Sequence, residues 1–157
     1  MIEITLLPKD LSENASILHQ LEEIEQICFA ADAWSQNMIL SSIRQSCTYV
    51  WTVQDVQLQK IIAYAVLYLA GDEGDVANIA VLPSYRNRGI GGALFDTMLN
   101  QARDQKVQTI YLEVRQSNAA AISLYRSRNF VEIGKRKNYY RHPREDAICM
   151  AKTVFHS

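Results

Sequence analysis

Within residues 2–7, Ile2, Ile4 and Leu6 alternate with Glu3 and Thr5. That period of two predicts a strand. The period then lengthens: Ile17, Leu18, Leu21, Ile24 and Ile27 recur at helical spacing as far as about Ala30, with Asp10 or Ser12 available as the cap. A second short helix fits residues 35–44, capped by Ser35 and carrying Met38, Ile39 and Ile43. Residues 49–53 and 61–69 are rich in β-branched and aromatic side chains and are separated by a polar stretch, which predicts an antiparallel pair. Gly71-Asp72-Glu73-Gly74 turns the chain into a strand over residues 75–82. A helix over residues 89–105 places Ile90, Leu94, Met98 and Ala102 on one face. Residues 109–114 then read as a strand, 119–128 as a helix, and 130–137 and 147–155 as two further strands.

The order is β-α-α-β-β-β-α-β-α-β-β. Strands come first in a run and later alternate with helices, which predicts an α/β chain built on a mixed sheet with helices on both faces. At 157 residues, 48% hydrophobic and 21% charged, without repeats or a low-complexity linker, the chain is expected to form a single domain over residues 1–157.

A net charge of −1 gives no general attraction to nucleic acid or to an anionic membrane, and neither is expected as a partner. Arg126, Arg128, Lys135, Arg136, Lys137, Arg141 and Arg144 form a local basic stretch that suits either cofactor phosphates or a solvated face. Cys28, Cys47 and Cys149 are odd in number and widely spaced, and His19, His142 and His156 are scattered, so no metal site is expected. These features, with no leader pattern and no apolar run near the ~20 residues of a membrane span, lead to the expectation of a cytoplasmic monomer with reduced thiols.

The segment Asn78-Ile79-Ala80-Val81-Leu82-Pro83-Ser84-Tyr85-Arg86-Asn87-Arg88-Gly89-Ile90-Gly91-Gly92-Ala93 changes the picture most. It reads as a strand, a short turn and a glycine-rich helix start. The N–H groups of a helix's first turn lack intrahelical partners and sit at the positive end of the dipole, so they attract phosphate oxygens. Glycines let the backbone approach a ligand, and Arg86 and Arg88 add positive charge. The alternative is a turn that merely joins strand to helix. A P-loop would need Gly-Lys-Ser/Thr, and a dinucleotide fingerprint would place its glycines directly after the strand; neither fits.

Arg86-x-x-Gly89-x-Gly91 resembles the Gln/Arg-x-x-Gly-x-Gly/Ala signature of the GCN5-related N-acetyltransferases (GNAT). A second block of that family is similar to Leu112-Glu113-Val114-Arg115-x-Ser117-Asn118-Ala119-Ala120-Ala121-Ile122-x-Leu124-Tyr125-x-Ser127-x-Asn129-Phe130. Asn138-Tyr139-Tyr140 followed by Glu145-Asp146-Ala147-x-x-Met150 resembles the ending of its RimI-type subgroup, the ribosomal-protein-alanine N-acetyltransferases. The likeness is dense over residues 76–150 and thinner upstream, where it rests on Trp34-Ser35.

This resemblance implies the acyl-coenzyme A N-acyltransferase fold and acetyl-coenzyme A as co-substrate, without a metal. It implies that Arg86, Asn87, Arg88, Gly89, Ile90, Gly91, Gly92 and Ala93 hold the pyrophosphate, and that Ile79, Ala80 and Val81 line the pantetheine arm and polarise the thioester carbonyl. Glu113 becomes the general base, although a lone strand glutamate also suits a solvent-facing side. Tyr125 becomes the acid for the departing thiolate, although its position suits a core aromatic as well. Asn118 is either the cap of its helix, a ligand of the cofactor arm, or both. Trp34, Tyr139 and Tyr140 either wall an acceptor groove or are half-buried aromatics. Where the family has glycine before Phe130 this chain has Asn129, which tolerates the left-handed conformation.

The acceptor implied is the N-terminal amine of a protein, as in the RimI-type subgroup the N-terminal alanine of ribosomal protein S18, acetylated by direct transfer in a ternary complex. A lysine side chain or small amine keeps the same fold and cofactor. A non-catalytic acyl-coenzyme A sensor would leave Glu113, Asn118 and Tyr125 without a purpose.

Overall fold

The computed structural model describes residues 1–12 and 14–154. Among these described residues, seven strands and four α-helices follow in the order β1 (Ile2–Leu6), α1 (Ser16–Phe29), α2 (Gln36–Arg44), β2 (Thr48–Asp55), β3 (Lys60–Ala70), β4 (Glu73–Val81), α3 (Ile90–Asp104), β5 (Thr109–Arg115), α4 (Ala119–Ser127), β6 (Val131–Arg141) and β7 (Arg144–Thr153). Short 3-10 turns at Ala30–Asp32 and Pro83–Tyr85 precede α2 and α3. The strands form one mixed sheet in the order β1-β2-β3-β4-β5-β7-β6, with β4 and β5 parallel. The expected order of elements and the α/β class are thus met.

The chain divides into two compact units, Met1–Tyr68 with Ala77–Asp96, and Leu69–Val76 with Thr97–Ser157. In the first, β2 pairs antiparallel with β1 and β3, as the paired apolar runs predict. Its core takes Leu21 and Ile24 from α1, Ile39 and Ile43 from α2, and Ile62, Tyr64 and Leu67 from β3, all essentially inaccessible. Serine 35 caps α2 as expected, its Oγ accepting the Met38 N–H at 3.2 Å.

The start of α1 differs from the expectation. The helix begins at Ser16, with Ala15 at the cap position and no side-chain cap. Asp10 instead accepts the Ser12 N–H at 2.9 Å, a local turn that competes with capping.

In the second unit β5 pairs antiparallel with β7, which pairs antiparallel with β6. Strand β5 alternates strictly: Ile110, Leu112 and Val114 are buried, while Tyr111, Glu113 and Arg115 are partly exposed. Asn129 adopts φ +67°, the left-handed conformation that ends α4. The last hairpin runs further than the sequence predicts. β6 extends to Arg141 and β7 starts at Arg144, so Tyr139 and Tyr140 lie in a strand and not in a connecting loop. A register shift between Arg136 and Tyr140, with Asn138 at φ +54°, explains why alternation there gave no clear strand signal. Phe155, the end of the predicted last strand, and His156 lie outside the described residues.

Candidate active site

The glycine-rich turn lies in the first unit. Pro83 opens the 3-10 turn, where its missing N–H costs nothing, and the Tyr85 N–H closes it on the Leu82 carbonyl at 2.9 Å. Asn87 at φ +63° and Gly89 at φ +79° then reverse the chain into α3. A Cβ at Gly89 would meet nothing within 4 Å, so the left-handed backbone, and not crowding, calls for glycine here. The Gly89 carbonyl accepts the Ala93 N–H at 3.0 Å as the first helical bond. Residues 86–89 are exposed and Ile90 is buried, which anchors the helix start. This arrangement fits a pyrophosphate.

The arginines have local partners. Arg86 donates from Nε to the Val81 carbonyl at 3.0 Å and reaches the Cys28 sulfur at 3.7 Å. The Arg88 guanidinium lies 5.1 Å from the Tyr85 ring centre, and the Tyr85 hydroxyl donates to Asp55 at 2.7 Å. Arg86 therefore also ties the end of β4 to its own turn.

Beside that strand lies a carboxyl that sequence reasoning missed. Glu25 of α1 is fully buried, and its Oε1 accepts from the Tyr64 hydroxyl at 2.6 Å and from the Asn78 amide. Its Oε2 is buried without a hydrogen-bond partner. Burial pushes its pKa up to about 7, against the opposing pull of hydrogen bonds from Tyr64, Asn78 and the Trp34 backbone. The signal in the sequence is spacing: Glu25 stands one helical turn after Leu21, inside the apolar stripe of α1. Trp34 is half-buried in this same unit.

Glu113 belongs to the second unit and lies on the half-exposed side of β5, as its alternation predicts. Its Oε1 lies 3.0 Å from Nε of Arg136, a pair with side chains 29% and 60% exposed respectively. The Tyr139 hydroxyl donates to Glu113, which holds the phenol above its ordinary pKa. Burial first, and the charge of Glu113 second, raise the carboxyl of Asp75. Cys149 faces Glu113 across the β5–β7 ladder and also reaches Arg136. The matched sequence blocks leave this cysteine out, yet the fold places it beside Glu113.

Tyr125 of α4 is 6% exposed, its ring 6.2 Å from that of Phe130. Burial, reinforced by Tyr140, holds its phenol far above the usual range, so it stays protonated. Consecutive residues of β6 thus bear on both candidate catalytic groups, Tyr139 by a hydrogen bond to Glu113 and Tyr140 by its electrostatic influence on Tyr125. Neighbouring strand residues ordinarily point apart, and the bulge before Tyr140 permits this. The two rings meet edge to face at 5.1 Å, and Arg115 covers Tyr140 at 4.3 Å. Arg115 also pairs with Glu145 at 3.1 Å, and Glu145 accepts the Ser117 N–H at 2.6 Å, which joins the hairpin to the loop before α4. Asn118 caps α4 through the Ala121 N–H at 3.1 Å. Among the described residues no group of His, Cys, Asp and Glu could hold a metal ion, and no helix is long and apolar enough to cross a membrane.

Comparison with known proteins adds to this geometry. The model of the acetyltransferase (GNAT) family matches residues 16–130. The [ribosomal protein bS18]-alanine N-acetyltransferase of Escherichia coli K12 is 42% identical over 123 residues, 77% of this chain and 81% of that protein. Its counterpart from Haemophilus ducreyi is 37% identical over 85% of this chain and 91% of its own length. The crystal structure of the ribosomal-protein-S18-alanine N-acetyltransferase from Escherichia coli superposes with a TM-score of 0.86 at 34% identity, covering 100% of this chain and 96% of that one. Fold, family model and relatives agree that this chain belongs to the GNAT family of acetyltransferases, enzymes whose acetyl donor is acetyl-coenzyme A.

Proposed function

We propose that one domain over residues 1–157 acetylates the N-terminal α-amine of a protein, and that the acceptor is the N-terminal alanine of ribosomal protein S18, as the names of the relatives suggest. The observation that carries this reading is the placement of Glu113, a half-exposed carboxylate held between Arg136 and Tyr139. When bound, acetyl-coenzyme A supplies a thioester carbon open to attack by an amine. In this reading the turn from Arg86 to Ala93 holds the pyrophosphate, and a backbone N–H of Ile79, Ala80 or Val81 polarises the carbonyl. Glu113 takes the proton of the incoming amine, directly or through water, and Tyr125 gives its proton to the departing sulfur. Asn118 supports the cofactor arm while capping α4, and Trp34, Tyr139 and Tyr140 contact the acceptor peptide.

An α-amine suits such a base. Its pKa of about 8, against about 10.4 for lysine, leaves far more of it close to the neutral form at physiological pH. Transfer is direct in a ternary complex, in the cytoplasm, by a monomer.

Coenzyme A release is measured with two matched peptides, one with a free N-terminal Ala and no Lys, the other N-blocked with an internal Lys. Turnover confined to the free terminus is the expected result. Turnover confined to lysine moves the acceptor to a side chain, and silence with both moves it to a small amine.

A further inference from the structure

The parallel ladder between β4 and β5 covers Glu73 to Asp75. The part of β4 assigned above to the cofactor, Asn78 to Val81, has β3 as its hydrogen-bonded neighbour in the sheet and is gripped by side chains as well. At its start the Asn78 amide donates to Glu25 and, at 3.2 Å, to the Tyr64 hydroxyl. At its end the Val81 carbonyl accepts from the Cys28 thiol at 3.5 Å and from Arg86 at 3.0 Å. Glu25 and Cys28 are three residues apart and so share a face of α1. One helix face thereby holds both ends of the segment.

We propose that Glu25 is a positioning residue for acetyl transfer: through Asn78 it fixes the strand segment whose backbone N–H polarises the thioester carbonyl, and so a carboxyl that no substrate touches sets the rate of the chemical step. The inference rests on the cofactor strand proposed above. A fully buried carboxyl with one unpartnered oxygen is an expensive way to hold a strand, since a neutral side chain would avoid the desolvation of a charge. What a carboxylate offers is strength, because hydrogen bonds to an ionised acceptor are shorter and stronger than neutral ones. With its pKa near 7, Glu25 gains that strength as pH rises through neutrality. The groups around it are the Cys28 thiol, with Arg86 beyond it, on one side, and the Tyr64 hydroxyl, the Asn78 amide and the Trp34 backbone on the others.

The test is the carbonyl stretching frequency of isotope-labelled acetyl-coenzyme A bound to the protein, with kcat measured from pH 5.5 to 8.5. In the wild type the bound carbonyl absorbs at lower frequency than the free one. Glu25→Gln, which keeps an acceptor oxygen but cannot ionise, is expected to return the frequency toward the free value and lower kcat about tenfold at pH 8, with acetyl-coenzyme A affinity within about twofold. It also removes the inflection of kcat near pH 7. Asn78→Ala should do the same, and combining the two should add nothing further, since one acts through the other. A wild-type shift and inflection retained in Glu25→Gln would overturn the inference, as would equal losses of kcat and cofactor affinity or additive effects in the double variant. A wild-type protein whose bound carbonyl is unshifted would instead refute the cofactor-strand reading itself. Should Glu25→Gln fail to fold, Asn78→Ala and Tyr64→Phe give the same readouts.

Discussion

Two carboxyls of this chain stand in opposite situations. Glu113 lies on a strand face, 29% exposed and paired with Arg136, while Glu25 lies on a helix face, wholly buried among neutral donors that include the Tyr64 hydroxyl and the Asn78 amide. The difference separates two uses of the same side chain. A carboxylate that must take a proton from an arriving amine needs solvent access and partners that can yield. One that must hold a strand needs enclosure and fixed donors, and enclosure raises its proton affinity.

The contrast breaks first at Glu113. Glu113→Gln is expected to lower kcat/KM by about 10²- to 10⁴-fold, with acetyl-coenzyme A affinity unchanged by calorimetric titration. A variant with full activity would remove Glu113 from the chemistry.

The next effect separates the two residues by stability. The folded-state pKa of Glu25 is raised from 4.5 to about 7, so its contribution to stability is complete below about pH 4.5 and is lost as pH rises through 7. The loss amounts to about 3 kcal/mol. Urea unfolding at pH 5 and pH 8 should show most of that fall in the wild type and little of it in Glu25→Gln. An identical slope in both would mean that Glu25 ionises in the fold as easily as in the unfolded chain.

Tyr125→Phe sharpens the chemical side. Loss of the phenolic proton donor should cost about 10- to 100-fold in kcat, with less loss for a thioester whose thiol leaves more readily. A uniform loss across leaving groups would assign Tyr125 to packing against Phe130 alone. Asn118→Ala should lower stability by about 1 kcal/mol through the lost cap of α4, and a larger loss of cofactor affinity would show its second role. Cys149→Ser should leave turnover unchanged despite its place opposite Glu113. Accumulation of acetylated protein in the wild type, absent from this variant, would replace direct transfer with a covalent route.

The same contrast explains what the sequence could say. Glu113 sits in an alternating strand with motif residues on both sides, so its face was readable from Ile110, Leu112 and Val114 alone. The turn from Arg86 to Gly92 was readable for a similar reason, because glycine and charge are local signals. Glu25 depends on Tyr64 and Asn78, which are 39 and 53 residues away in the chain, and only its misplacement in an apolar stripe hints at them. Asp10 and Ser12 looked like caps because capping and local turns use the same short side chains. The partners of Glu113 at Arg136 and Tyr139 were hidden by the bulge in β6, which breaks the period on which strand reading relies.

That bulge also bears on how such an enzyme changes. Strand β6 closes one edge of the sheet and is exposed along nearly its whole length, whereas β5 buries every second residue. Substitutions along β6 therefore disturb little packing, and yet Tyr139 on it bonds Glu113 and Tyr140 influences Tyr125. On the proposed acceptor role of Tyr139 and Tyr140, the hairpin is the place where a lineage, or an engineer, can retune the preferred acceptor while leaving the core alone.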